Sequence, residues 1–484
     1  MIYYSKTRNL PEPSGTEPGR RGCRASAGGF PGERMEVNMA IDKKHYTGGN
    51  TEGGITSSYA TDDGVKLKVP YSFMGSIYDE AEEQAALAAM KQDTLTMGPK
   101  TQEFQTKFAQ KHGTKYAYAC SNCTTGMHVV TQLFDIKPGD EVIVTPNTFV
   151  ATSLVILKEG GIPVFADIDP RTFNIDPEDV ERKITKKTKA IYVVHYAGLM
   201  VDMDPIMEIA RKHGLKVLED CAHATGSSYK GRMAGSIGDA GAFSFHSLKN
   251  ITTCGEGGMI TTNNDEYAKG IQNLRCMSNQ PQSWNDQLAD INNPVWNFGR
   301  ITCKKSDPIE YWLPAHFDVI PWNGHWGSNY RMNEIQAAVG CCQLDKLDML
   351  INKRREIAHK ITAGIQDIEG IEAVYEPEDC YHSFHLYTVC VDEKKLGGSR
   401  DEFMRVLYEE EGVQGILHYQ PTFHFTGLKR MGYDPDQCPK ASEFFYKREL
   451  NIPMHPRLTE QNIADTIEGI KNAAAKVRKR HNKA

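Results

Sequence analysis

Between residues 116 and 220 the chain repeats one local pattern: a short apolar run, a turn, then a segment with helical spacing. The apolar runs are Tyr116-Ala-Tyr-Ala, Glu141-Val-Ile-Val-Thr, Pro163-Val-Phe-Ala-Asp, Ala190-Ile-Tyr-Val-Val-His and Lys216-Val-Leu-Glu-Asp. Helical segments begin at Thr124 and near Ala151, Pro177 and Pro205. Strands that are apolar on both faces must be covered on both faces, and connecting helices do this when the strands run parallel. The alternation predicts an α/β fold with a mostly parallel sheet in a large domain. Ligands in such sheets bind beyond the carboxyl ends of the strands, where His195 and Asp220 fall.

Residues 1–65 are rich in Gly, Ser, Thr, Arg and Pro without an apolar period, and are expected to be a disordered extension. Helical patterns start at Asp79 and Thr101, separated by Thr94-Leu-Thr-Met-Gly-Pro. Far downstream, a helical stretch from Asn333 to about Gln366 leads into a mixed unit. That unit combines Ser383-Phe-His-Leu-Tyr-Thr-Val-Cys-Val with helices at 400–411 and 459–478, an α+β pattern. The expected partition is a large domain at 66–345 and a smaller C-terminal domain at 346–484. All five tryptophans (284, 296, 312, 322 and 326) lie between Met277 and Gly327. They mark an inserted segment at about 278–327, read as a self-anchored loop, a lid or an interface arm.

A net charge of −6 gives no electrostatic reason to expect nucleic acid or a membrane surface as a partner. No run of eighteen apolar residues and no apolar leader is present, and twelve cysteines in so long a chain are expected to be reduced thiols. The expected location is the cytoplasm. Cys120-Ser-Asn-Cys123 matches C-x-x-C but has no second such motif and no spaced histidine pair, so no metal is expected.

The chemistry converges on Lys249, in Phe243-Ser-Phe-His-Ser-Leu-Lys-Asn followed by Gly255-Glu-Gly-Gly, with Asp220 about thirty residues upstream at a strand end. A lysine and a strand-end carboxylate are the two groups pyridoxal phosphate (PLP) asks of a protein. The amine forms a Schiff base, and the carboxylate keeps the pyridine nitrogen protonated so that the ring accepts electrons. Lys249, once displaced by an amino donor, is also placed to act as base. The phosphate needs a cradle. The N–H groups of Cys123 and Thr124 at a helix start, with the Thr124 hydroxyl, offer one, although an ordinary N-capped helix reads the same way. Ser244 adds a hydroxyl. Phe149 follows a strand end and could stack on the ring, and His223 could hydrogen-bond or stack there, while an isolated aromatic or histidine serves equally as core.

Three motifs together resemble the DegT/DnrJ/EryC1/StrS family of PLP-dependent sugar aminotransferases. They are Leu218-Glu-Asp-Cys-Ala-His-Ala-Thr-Gly-Ser-Ser-Tyr-Lys-Gly-Arg, Gly238-Asp-Ala-Gly-Ala-Phe-Ser-Phe-His-Ser-Leu-Lys-Asn and Gly255-Glu-Gly-Gly-Met-Ile. The similarity runs from about Met97 to Ile467. It implies PLP fold type I, with Lys249 and Asp220 as catalytic pair and His223, Phe149, Cys123, Thr124 and Ser244 around the cofactor. It further implies that Asn329 reaches the phosphate of a neighbouring subunit in a homodimer with shared active sites, and that Thr96, Met97, Gly98, His418 and Tyr419 lie near the sugar. Val194-His-Tyr-Ala-Gly and Phe243-Ser-Phe-His resemble the UDP-4-amino-4-deoxy-L-arabinose aminotransferase-like branch, which adds His195 and Tyr196 as expected substrate contacts. The tryptophan-bearing insertion and the N-terminal tail depart from that branch, and Ser328-Asn-Tyr-Arg-Met-Asn-Glu and Phe423 to Cys438 also resemble relatives that aminate keto-inositols. The retained lysine sets the chain apart from family dehydratases that carry histidine there. The resemblance implies transfer of an amino group from glutamate or glutamine to a keto-sugar, expected to be nucleotide-linked, in amino-sugar and polysaccharide biosynthesis. A keto-inositol acceptor and a non-catalytic PLP-binding regulator are the alternatives.

Overall fold

The structure, a computed structural model, describes residues 65–72, 74–281, 317–434 and 436–481. The expected N-terminal extension lies outside the described residues apart from Val65, as do Trp284, Trp296 and Trp312. The described residues belong to one compact unit, 52–484.

Seven strands form the main sheet: β1 (Tyr116–Cys120), β2 (Glu141–Val144), β3 (Ile162–Phe165), β4 (Thr188–Val194), β5 (Lys216–Asp220), β6 (Ala240–Ser244) and β7 (Gly258–Thr262). Their spatial order is β1-β7-β6-β5-β4-β2-β3. The run from β3 to β6 is parallel, and β7 is antiparallel to both its neighbours. The α/β fold follows the alternation of the sequence. The pattern is not legible beyond β5, because β6 and β7 are joined without a helix. The loop between them carries Lys249, so the functional lysine hangs where regular alternation stops. Ala190 to Val194 are all buried, as a central strand covered on both faces requires.

Helix α1 (Glu80–Met90) opens with a capping box between Asp79 and Glu82. Helix α2 (Pro99–His112) is capped from a distance, by the buried Glu334 carboxylate, which accepts from the N–H groups of Gly98 (2.7 Å), Lys100 (2.8 Å) and Thr101 (3.1 Å). Helix α3 (Cys123–Leu133) follows β1, and α4 (Ala151–Lys158) follows β2. The helical stretch read as continuous from Asn333 is two helices, Glu334–Asp345 and Leu347–Ile365, meeting at Lys346. Lys346 turns its ammonium to Asp79 (2.7 Å) and Glu82 (2.6 Å), pinning the junction to α1.

A second core gathers on a three-stranded antiparallel sheet, Ile371–Glu372, Tyr387–Val391 and Glu449–Ile452. Ile357, Ile361, Leu407, Ile470 and Val477 pack against it. The two ends of the tryptophan-bearing insertion pair as short antiparallel strands, Asn279–Pro281 with Phe317–Val319. Trp322 packs against the main core, whereas Trp326 is 62% exposed. No described helix is long and apolar enough to cross a membrane.

Candidate active site

Asp220 ends β5 with its carboxylate buried beside α4. Thr152 Oγ1 donates to Asp220 Oδ2 at 2.8 Å, the Ala222 N–H donates to Oδ1 at 3.1 Å, and Cys123 Sγ lies 3.8 Å from Oδ1. Burial pushes the Asp220 carboxyl above its usual range, and the two donors and Lys249 offset this only in part. A carboxylate so placed is completed by a further cation, and a protonated ring nitrogen is one. Burial pulls Lys249 down to about 8, against the opposing pull of Asp220 and Cys123. Its amine is thus neutral, and nucleophilic, at far lower pH than a surface lysine.

The start of α3 provides the anion site. Asn122 caps it, accepting from the Thr125 N–H at 2.9 Å while the Thr125 hydroxyl accepts from the Asn122 N–H. This box leaves the N–H groups of Cys123 and Thr124 open, with Thr124 exposed. Gly258 of β7 lies against this helix start, and a Cβ there would come within 2.5 Å of the Asn122 carbonyl carbon. Ser244 ends β6 nearby in the sheet order, its Oγ accepting from the His246 N–H at 3.4 Å. Cys120 and Cys123 are separate free thiols, both pushed up by burial. Their spacing serves the helix start.

Aromatic groups form a wall. Phe149 is 58% exposed and meets Tyr419 edge-on, ring centroids 6.0 Å apart. His223 accepts from the Ala197 N–H at its Nδ1 (3.3 Å), so its Nε2–H donates to the Tyr419 hydroxyl (3.2 Å). Burial, with Lys249 and His418 nearby, holds His223 well below the usual histidine range, which keeps that tautomer neutral.

His418 and Tyr419 line one cavity with Lys249. A strap of Tyr71, Ser72, Met74 and Gly75 lines the same cavity. The Gly75 N–H donates to the Ser247 carbonyl at 2.8 Å, and a Cβ at Gly75 would fall 2.1 Å from the Leu248 carbonyl oxygen. Only glycine permits so close an approach to the lysine loop. The strap and Thr152 carry no motif in the sequence; both reach the site by folding alone.

Several residues expected at the substrate or the partner's cofactor are engaged within the protein. His195 is fully buried, its Nε2 bonded to Glu219 (2.9 Å) and its Nδ1 accepting from the Val201 N–H (3.1 Å), so no ring nitrogen is left for a sugar. Successive residues of a strand face opposite ways, and Glu219 faces away from Asp220. Burial pushes Glu219 up, but His195 and the N–H groups of Gly235 and Gly238 hold it below its ordinary range. Glu219→Ala is expected to cost about 3–5 kcal/mol of stability, measured by urea unfolding. Tyr196 is likewise buried and donates its hydroxyl to the His418 carbonyl at 2.6 Å, so it supports the 418–419 segment from behind. Thr96 bridges to Asn333, the Met97 Sδ lies 3.7 Å from Cys276 Sγ, and Gly98 is held by Glu334. Asn329 is exposed and bridged through its backbone to Cys276.

Residues 76–471 match the DegT/DnrJ/EryC1/StrS aminotransferase family. The chain belongs to this family. It is a PLP-dependent aminotransferase by that membership, and Lys249, Asp220 and the open helix start fit the cofactor. The chain is 37% identical to the spore coat polysaccharide biosynthesis protein SpsC of Bacillus subtilis (strain 168), over 84% of this chain and 96% of that protein. Its structure is similar to Helicobacter pylori PseC, an aminotransferase involved in the biosynthesis of pseudoaminic acid. The TM-score is 0.72 with 26% identity, covering 84% of this chain and 99% of that one. It is also similar to the putative sugar aminotransferase Spr1654 of Streptococcus pneumoniae in its PLP form, with a TM-score of 0.71 and 27% identity over 84% and 99%. The PMP form of Spr1654 matches with a TM-score of 0.72.

Because the neutral amine is the nucleophile, capture of PLP by the cofactor-free protein is expected to quicken about tenfold per pH unit below about 8 and then level off. Stopped-flow absorbance measures this. A rate still climbing at pH 10 contradicts the depressed amine.

Proposed function

We propose that this protein moves an amino group from glutamate or glutamine to the carbonyl of a nucleotide-linked keto-sugar, in the cytoplasm, as a homodimer. The observation that carries the reading is the half-buried Lys249 with the buried Asp220, whose charges act on one another, together with an exposed Phe149 and an open helix start. SpsC, named for polysaccharide biosynthesis, and PseC, named for pseudoaminic acid biosynthesis, support a sugar acceptor.

Bound PLP supplies the electron sink that makes a proton on an amino-bearing carbon removable. Cys123 and Thr124 would hold the phosphate through their N–H groups, with the Thr124 and Ser244 hydroxyls adding donors. Asp220, oriented by Thr152 and the Ala222 N–H, holds the proton on the ring nitrogen. Phe149 would stack on the cofactor ring, and His223 would hydrogen-bond or stack beside it. Lys249 Nζ takes the proton from the amino-bearing carbon and later returns it, one amine serving both directions. His418 and Tyr419 border the acceptor, and Asn329 crosses to the partner's phosphate in the dimer.

The acceptor is tested by converting the enzyme to its pyridoxamine form and challenging it with a panel of 4-keto nucleotide sugars and keto-inositols. Recovery of the PLP absorbance with a keto nucleotide sugar supports the proposal. Recovery with keto-inositols alone reassigns the acceptor. Binding of PLP without reaction with any amino donor makes the protein a non-catalytic PLP binder.

A further inference from the structure

Lys249 borders a cavity that none of the cofactor-holding residues Cys123, Thr124, Phe149, Asp220 or Ser244 lines. His385 and His455, only 6% and 2% exposed, also line it. Both ring nitrogens of His455, and Nδ1 of His385 and of His418, have no protein partner. Buried polar groups are ordinarily satisfied, and leaving them bare is unfavourable. Four such nitrogens around one space therefore call for a polar occupant. The space amounts to about 30 Å³, room for one or two waters and too little for an amino acid or a sugar.

The walls are held as one piece. Arg354, fully buried, donates Nη1 to the carbonyls of Phe384 (2.9 Å), His385 (3.3 Å) and Met454 (3.2 Å), and Nη2 to that of Gly75. One guanidinium thus ties the strap to the segments carrying His385 and His455. Tyr71, Ser72 and His418 in the wall are partly exposed, so the space communicates with solvent. Burial keeps both histidines neutral, His455 down to about 3 and His385 well below its usual range. A neutral imidazole has one N–H and one lone pair, and passes a proton on without retaining it.

We propose that this cavity is a water-filled proton-exchange chamber through which His455, flanked by His385, connects the Lys249 amine to solvent. The inference rests on the aminotransferase reading for its purpose. A proton leaves the Lys249 ammonium for the first water, and that water yields one of its own to the bare nitrogen of His455. The N–H on the opposite nitrogen then releases its proton to the second water and outward. Lysine ends neutral, His455 is neutral again in the other tautomer, and one proton has reached solvent. Entry reverses each transfer.

Two measurements decide it. High-resolution crystallography of the PLP-loaded protein is expected to show one or two waters bonded to His455 and reaching Lys249, absent in His455→Phe. A dry cavity, or a non-aqueous occupant, overturns the proposal. In a single half-turnover with α-deuterated glutamate or glutamine, deuterium retained on the cofactor is expected to rise several-fold in His455→Phe. It stays raised in His455→Gln, whose amide can order water but cannot take up and release a proton; recovery in that variant overturns the relay. Equal retention in all three proteins overturns the relay. Failure of both donors to react overturns the aminotransferase reading instead, and the crystallographic result then decides the chamber.

Discussion

Replacing Lys249 by alanine is expected to lower turnover by about 10⁴-fold or more, the upper range for a positioned proton-transfer group, which is about 5.5 kcal/mol in the barrier. The loss is large because one amine both binds the cofactor covalently and moves the proton. Lys249→Arg is expected to fare no better. A guanidinium stays protonated at every working pH and is a poor nucleophile, so restoring charge and length restores neither role. Free amines added to Lys249→Ala should recover part of the proton transfer in a concentration-dependent way, read as the rate of the half-reaction. Bound cofactor in the variant, measured after gel filtration, separates lost chemistry from lost folding.

Asp220→Asn is expected to reduce kcat by about 10²–10³-fold, the range for removing one preorganised electrostatic group, with the fold intact. The amide is nearly isosteric, and its oxygen can still accept from Thr152 or from the Ala222 N–H. It carries no charge, so it cannot hold a proton on the ring nitrogen. Asp220→Glu keeps the charge but pushes it one methylene further into a space already bounded by Thr152 and Cys123. Steady-state kinetics on both variants, with circular dichroism as a folding control, separates charge from placement. If Asp220→Asn retains wild-type kcat, the carboxylate has no electronic part in the reaction.

What the sequence discloses and what it withholds follow from range. Lys249 and Asp220 announce themselves because each lies in a short stretch of strand, turn and glycine whose local meaning survives in one dimension. The alternation of β1 to β5 is visible for the same reason. Thr152 is invisible, since its meeting with Asp220 spans 68 residues and rests on a helix packing beside a strand end. His195 misleads because a strand end does not say which of two neighbouring side chains faces the ligand. Here Asp220 does, and Glu219, with His195, turns into the protein. His385 and His455 leave a faint trace, as polar residues in the otherwise apolar runs Phe384-His-Leu-Tyr and Ile452-Pro-Met-His, and only their shared cavity gives the trace a meaning. The anchoring of the strap by Arg354 from residues 279 positions away has no trace at all.

That anchoring bears on how the enzyme is to be produced and trimmed. Similarity to the family begins at residue 76, one step after the glycine that rests on the lysine loop. A recombinant version started at that border would keep every motif by which the protein is classified, yet would leave Arg354 without one of its carbonyl acceptors and strip a side from the catalytic amine's enclosure. Trimming guided by family boundaries would yield a well-folded but crippled catalyst, and the safe cut falls upstream of Val69, where the strap first bridges to Val413.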